Sequence, residues 1–365
     1  MSILESILLS IQGAASQGVL WGVMTMGVYL TYKVLDYADL TVDGSFATGG
    51  AVSAILTVGG TQLLPEGINP FLTLLAALLA GMLCGAATGI LHTGFKIPGI
   101  LSGILSMIAL YSINIRVMGK ANISLLGEDT VVTILMDATG LSANWVSLLL
   151  GLGVSALLIG VLYWFFGTEI GCCIRATGNN EYMVRALGGN TDMMKIIGLM
   201  MSNGLVALSG ALVAQSQGYA DVGMGTGTIV VGLASVIIGE VIFGVRFSFA
   251  YKLASVVLGS VLYRIIIAVV LQLGLKSTDL KLLTAVIVAL ALAIPVLKKR
   301  PVALRCLFTA AALAAVWIVI NIAALLLNFH LPENLGWAFL AAALAAIAAQ
   351  ALWMIQNKKK KRRTV

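Results

Sequence analysis

The sequence predicts an all-α fold: a polytopic transmembrane helix bundle of about nine spans, with two extra spans appended at the C-terminus. Composition is the first observation behind this. Of 365 residues 60% are hydrophobic and only 10% charged, with a mean hydropathy of +1.03, whereas soluble chains are usually about a quarter charged. The second is length, since the apolar stretches reach the roughly twenty residues a helix needs to cross a bilayer. The third is glycine, with 40 residues against six prolines. That suits closely approaching membrane helices and not the alternating pattern of a membrane barrel.

In chain order the spans are expected at 12–32, 45–64, 70–91, 97–118, 144–166, 196–217, 228–244, 250–274, 278–297, 303–328 and 335–356. Residues 2–11 read as a short separate interfacial helix, and 228–244 is short enough to be broken or re-entrant. No basic n-region precedes the first stretch, so no cleavable signal peptide is expected. With the polar stretch 167–195 placed in the cytoplasm, the inner loops collect Lys33, Lys96, Arg175, Arg185, Lys195, Arg246, Lys252, Lys298, Lys299, Arg300, Arg305 and the basic run Lys358–Arg363. The outer loops hold only Lys120, Lys276 and Lys281. This bias puts the N-terminus outside and the C-terminus in the cytoplasm. The basic run supplies nearly all of the +7 net charge. Directly after a span it reads as a topology anchor touching anionic membrane lipid, with no nucleic acid implied. Residues 1–297 form one expected bundle that includes the 167–195 segment, and 298–365 an appended pair of spans with a basic tail.

The segment Gly167–Lys195 carries Glu169, Arg175, Glu181, Arg185, Asp192 and Lys195 between two apolar spans. Charges in hydrocarbon are costly, so it lies on one membrane face. Its patterning reads as a docking element for a soluble partner. Within the spans, Gly81, Gly85 and Gly89 recur every fourth residue, which puts all three on one helix face for tight packing. Asp36, Asp39 and Asp43 precede and open the second span, beside Ser45. They read as a helix start whose side chains satisfy free backbone N–H groups, or as a turn where a pathway helix begins. Tyr111, Asn114 and Arg116 sit near the outer end of the fourth span. Arg116 either meets a substrate or partner or snorkels to the interface. Ser202, Ser209 and Ser216, beside Asn203, Gly210 and Gln217, form one narrow small and polar stripe, fitting interhelical contact or a water-lined path equally. Glu240 is an isolated acid near a span end that needs a partner or water.

Cys84, Cys172, Cys173 and Cys306 have no paired spacing, and His92 and His330 stand alone, so neither a disulfide framework nor a metal site is expected. No phosphate-binding GxxxxGK[ST] motif exists, and the glycine-rich 223–228 lacks its lysine. No nucleophile–base set is present. The chain is therefore read as a non-enzyme.

The strings ATGNNEYMVRALGGNTDMMKIIGL, SNGLVALSGALVAQSQGYADVGMGTGTIVVGLASVIIGE, LTVDGSF and ALYSINIRVMGKANISLL resemble the permease subunits of binding-protein-dependent ABC importers. The likeness is to the branched-chain amino-acid/ribose class, nearest its tryptophan/tyrosine subgroup, over about residues 10–297. The resemblance implies a permease in the bacterial cytoplasmic (inner) membrane that forms a dimer with a second copy around one path. It further implies a cytoplasmic ABC ATPase that binds and hydrolyses ATP-Mg in place of any cofactor on this chain, and an extracytoplasmic substrate-binding protein delivering an amino acid, aromatic by subgroup. By position, Glu181, Arg185, Ala186, Leu187 and Gly188 would form the coupling helix at the ATPase. Candidate path residues are Asp43, Ser45, Tyr111, Asn114, Arg116, Asn203, Gln217 and Glu240. Two other readings remain: an ion- or proton-coupled secondary carrier using Glu240, and a non-transporting membrane anchor. The two C-terminal spans depart from the family pattern.

Overall fold

A computed structural model describes residues 3–59, 67–244 and 248–272, with a few helical positions between 282 and 289. The chain divides into two compact units, Met1–Thr284 and Ala285–Val365, and the account below concerns the first. The expected spans 303–328 and 335–356, most of 278–297, Cys306, His330 and the basic tail lie outside the described residues.

Eight of the expected spans appear as helices. They are α1 (Ile3–Tyr29), α2 (Thr41–Val58), α3 (Pro70–Thr93) and α4 (Gly99–Met118), then, past the short α5 (Val131–Thr139), α6 (Ala143–Phe165). The polar segment forms α7 (Glu169–Asn179) and α8 (Glu181–Ala186), and α9 (Thr191–Gln217), α10 (Thr228–Phe243) and α11 (Phe249–Gln272) complete the unit. Six of these stretches are long and apolar enough to cross a membrane by length and composition; α1 and α2 are not among them. The span expectation is corrected in three places. Residues 2–11 are not a separate interfacial helix, because α1 runs unbroken from Ile3. The second span opens at Thr41 instead of 45 and closes at Gly59. The connection after α4 adds strand to an expected all-α chain: β1 (Asn122–Ser124) pairs antiparallel with β2 (Tyr219–Asp221), with Ile123 opposite Ala220.

The core is organised around α9, which is buried along most of its length. α3 runs antiparallel beside it, with Gly81, Gly85 and Gly89 facing Asn203, Leu199 and Ile196 in turn. A methyl group on Gly85 would meet the Leu199 carbonyl and lie 2.9 Å from the Met200 Cα, so the two backbones touch where any side chain would separate them. α1 crosses the other side, and its carbonyls accept hydroxyls from α9: Ser202 donates to Gly27 at 2.8 Å and Ser209 to Leu20 at 2.8 Å. α11 adds the same contact, Ser260 to Gly18 at 2.8 Å. These hydroxyls satisfy themselves on neighbouring backbone, so the serine stripe serves interhelical packing. α3, α4 and α6 keep apolar faces outward, among them Leu75, Leu79, Leu83, Ile108, Leu149 and Leu157, as helices bordering lipid should.

α2 explains its own low apolarity. It is enclosed by neighbours, with Thr41, Ser45, Thr48, Ser53 and Thr57 all buried, and so never faces lipid. It runs parallel to α9, with Ser45 on Asn203 and Ser53 on Gln215. Before it the chain leaves α1 through a π-turn at Leu30–Val34 and bends at Asp36, whose φ is +52°, a conformation aspartate tolerates better than most residues.

Overpacking a close helix seam costs about 1–3 kcal/mol. Gly85→Val is expected to lower the thermal midpoint and yield of the detergent-purified protein sharply. Gly153→Ala, where a methyl group meets nothing within 4 Å, is expected to leave both unchanged. Fluorescence-detected size-exclusion after a heating series checks this.

Candidate functional sites: a mid-height polar junction and a charged knob

Two helices begin deep inside the bundle. Asn203 stands close to the midpoint of α9, and its amide nitrogen donates to the Asp39 carboxylate at 2.7 Å. Its amide oxygen accepts from the Ser45 hydroxyl at 2.7 Å, and the other Asp39 oxygen accepts from the Thr41 N–H at 2.9 Å. The start of α2 is therefore pinned at mid-height of α9. Asp43, in the first turn of α2, does not cap its own helix. Its carboxylate accepts from Gly227 N–H at 2.9 Å, Thr228 hydroxyl at 2.8 Å and Ile229 N–H at 2.9 Å, which are the free donors at the start of α10. A carboxylate at a helix N-terminus complements its dipole. α10 thus also begins at this level and runs to Glu240 near its far end. This is the physical reason 228–244 reads as short. The starts of α2 and α10 meet at one junction built from Asp39, Asp43, Ser45 and Asn203, and transporters use helices that begin at membrane depth because they offer backbone groups there without lipid contact. A hydroxyl relay flanks it, from Thr41 to Thr88 at 2.8 Å and Thr88 to Ser106 at 2.7 Å.

The remaining path candidates lie elsewhere. Tyr111 and Arg116 are exposed on α4, while Asn114 between them is 1% exposed and neither of its amide atoms has a hydrogen-bond partner. Gln217 is exposed at the end of α9. Its neighbour Gln215, not singled out from the sequence, is buried and ties α9 to three segments: its nitrogen donates to Ser53 and Thr73, both at 2.9 Å, and its oxygen accepts from Val131 N–H at 3.1 Å. The seven-residue spacing that drew attention to 203, 210 and 217 skips it. Glu240 has the partner it needs, a salt bridge to Lys33 at 2.9 Å.

The polar segment folds into a knob. Asn180 and Asn190 cap α8 and α9, each side chain accepting a backbone N–H three residues on, a fixed local signal for helix starts. Between the helices Gly188 takes φ +84°, which reverses the chain. Four charges lock α8 to the base of α9. Arg185 contacts Glu181 at 2.7 Å and Asp192 at 2.9 Å, and Lys195 contacts Glu181 at 2.7 Å. The Arg185 Nε also donates to Thr191 at 2.6 Å. The Lys195 hydrogen bond is the largest influence on the Glu181 carboxyl and, with help from the Lys195 and Arg185 charges and the Thr191 hydrogen bond, holds it below the usual glutamate range against the upward push of burial. Arg185, which the resemblance puts at the ATPase, is thus engaged within its own chain. What points outward is apolar: Tyr182 is 85% and Leu187 80% exposed, with Met183 beside them and Ala186 and Gly188 also exposed, while Val184 is buried beneath. Sequence reading had Leu187 but passed over Tyr182 and Met183, because side-chain direction on a six-residue helix depends on the caps at both ends.

Among the described residues no group of three or more His, Cys, Asp or Glu gathers for a metal. Cys84 is buried and Cys172 exposed, both free, and His92 closes the turn after α3, with Nδ1 2.8 Å from the Ile97 carbonyl.

Comparisons with known proteins agree with this architecture. A family model described as the permease component of branched-chain amino acid transport systems matches residues 10–297. A tyrosine transport system permease protein of Clostridioides difficile is 40% identical over 278 residues, covering 76% of this chain and 88% of that protein. An uncharacterised Rickettsia prowazekii protein is 32% identical over 284 residues, 76% of this chain and 95% of its own. An autoinducer 2 import system permease protein of Yersinia pestis is 28% identical over 194 residues, 53% of each. The chain belongs to the branched-chain amino acid transport permease family of ABC importers, and is a multi-pass membrane transport subunit for a small solute.

Proposed function

We propose that this chain is the membrane half of an ATP-driven importer of tyrosine or a related aromatic amino acid, working as a dimer of two copies in the bacterial inner membrane. An extracytoplasmic binding protein hands over the solute. A separate cytoplasmic ATPase binds Mg-ATP and docks on α8. The N-terminus lies outside and the C-terminus in the cytoplasm, as the basic residues suggest. The substrate class follows the Clostridioides difficile relative and the family membership.

The observation that carries the reading is the knob. An exposed apolar cap, Tyr182, Met183 and Leu187, sits on a helix fixed by ion pairs to the base of α9. Aromatic and large apolar side chains are the usual anchors of protein interfaces. Force applied at the cap passes to α9 with little give, and α9 holds the junction where α2 and α10 begin. Tilting α9 would then shift both half-depth helix starts together, which is what alternation between two packings requires. Solute contacts on the path can stay weak because the binding protein selects. Glu240, already neutralised by Lys33, lends no support to a proton-coupled carrier.

Two outcomes are expected. In proteoliposomes with the cognate ATPase and binding protein, Tyr182→Ala with Leu187→Asp should cut ATP-driven tyrosine uptake at least about tenfold, the loss of one or two interface anchors, with unchanged elution on size exclusion. Uptake by the purified chain without ATPase would overturn the proposal. The second concerns pH. A carboxyl whose folded value is depressed stabilises the fold fully above its unfolded value, 4.5 for glutamate, and that gain disappears as pH falls through the folded value. A spin label at Ala186 should therefore keep the same mobility from pH 8 to about pH 5 and loosen only under more acid conditions. Glu181→Gln should be loose throughout.

A further inference from the structure

At the end of α6 lies an open cleft of about 550 Å³, lined by Tyr163, Trp164 and Phe166, by Arg175 of α7, and by Ser248 and Phe249 where α11 begins. Its depth in the membrane follows from the sequence around it. α6 is apolar up to Phe165, and Glu169 soon opens the charged segment. The cleft therefore sits where hydrocarbon gives way to headgroups, the level at which tyrosine and tryptophan gather. Its charge is cationic. The Arg175 guanidinium carbon lies 5.8 Å from the centre of the Phe249 ring. Its Nη2 donates to the Phe166 carbonyl and, at 3.4 Å, to the Cys172 sulfur. Among the described residues its other two nitrogens have no hydrogen-bond partner, and no carboxylate pairs with it or lines the cleft. Ser248 caps α11, its hydroxyl accepting the Tyr251 N–H at 3.5 Å. Deeper in the membrane the surface turns apolar. Val161 and Leu157 share the Trp164 face of α6 and are exposed with it, about 5 Å and about 10 Å further along the helix toward the bilayer centre.

We propose that this cleft binds an anionic phospholipid, its phosphate held by the guanidinium nitrogens of Arg175 and an acyl chain laid along the strip from Trp164 through Val161 to Leu157. The order of contacts is that of a lipid standing in its leaflet: cation at the membrane surface, aromatic rings next, aliphatic side chains toward the centre. A zwitterionic headgroup carries its own cation beside the phosphate, so an arginine without a carboxylate partner favours a lipid of net negative charge. None of the contact residues belongs to α8 or to the Asn203 junction, so the inference does not rest on the transport proposal.

The full chain is reconstituted in vesicles of equal parts phosphatidylglycerol and phosphatidylcholine, with one lipid or the other brominated in its acyl chains. The part of the tryptophan emission that Trp164→Phe removes reports the cleft. Quenching of that part should show phosphatidylglycerol enriched about fivefold over phosphatidylcholine, the ratio one basic side chain gives at a lipid surface. Arg175→Gln should remove the enrichment and Arg175→Lys should keep part of it. Ser248→Asp retains a capping oxygen for α11 and puts a negative charge in the cleft, so it should also abolish the enrichment, whereas Ser248→Asn should keep it. Equal quenching by the two lipids in the unaltered protein, or an enrichment that survives either Arg175→Gln or Ser248→Asp, would overturn the proposal. So would a Trp164 component that neither lipid quenches, the sign of a second copy or another protein seated on the cleft. Loss of the enrichment on adding millimolar inorganic phosphate, but not sodium chloride of the same ionic strength, would overturn the lipid assignment in favour of a small-anion site.

Discussion

The Asn203 side chain is the interaction on which the rest of the bundle depends. One amide, near the centre of the most buried helix, donates to Asp39 and accepts from Ser45. Left unpaired there it would cost several kilocalories per mole, about what an amide loses on leaving water without a partner. Satisfying it requires the chain to bring the α1–α2 connection to mid-height, and α2 must then start inside the bundle. Once α2 starts there, Asp43 is carried to a level where its carboxylate can meet free N–H groups, and α10 begins where those donors are needed. The glycine face of α3 closes the other side of the same residue. Burial, helix starts and close packing are one linked solution to a single polar group in a low-dielectric place.

Much of this was legible in the residues. Apolar length located six of the eight helices to within a few positions, because lipid exposure imposes a run of about twenty apolar residues on any helix that meets it, and missed the ends of α1 and α2 by more. The four-residue glycine spacing found the α3 seam for the same reason of helical periodicity. The polar segment was recognisable as a break between two apolar helices because its charges could not lie in hydrocarbon. Less was legible wherever the partner lay far away in sequence. Asp43 looked like the cap of its own helix, yet it caps one that starts 185 residues later. Gln215 looked unremarkable beside Gln217 until α3 and α5 arrived to bond it. That Arg185 pairs with Asp192 as well as with Glu181 one turn back was not legible, since the Asp192 contact depends on the Gly188 reversal. α1 shows the opposite failure: its opening residues looked interfacial in isolation and are simply the first turns of a longer helix.

On the proposed function the two sites divide the work of a driven transporter. The knob presents apolar side chains on a support stiffened by charge, an arrangement suited to repeated docking and release of a soluble neighbour. At mid-height, carboxylates and an amide hold two helix starts through hydrogen bonds that can be exchanged for others with little net cost. Stiffness where force enters and exchangeable bonds where the path must change is the mechanical pattern expected of alternating access.

The knob is also local in a way the junction is not. Every charged contact that fixes α8 comes from a stretch of fifteen consecutive residues, Glu181 to Lys195, whereas the junction ties residues more than 150 positions apart. A self-contained cassette of this kind needs nothing from the membrane core to keep its shape. If α8 is the docking element proposed above, its outward residues are free to drift and be rewritten for a different motor while the conduit stays intact, so pairing between permeases and their energising subunits can be reassorted by changing a handful of side chains.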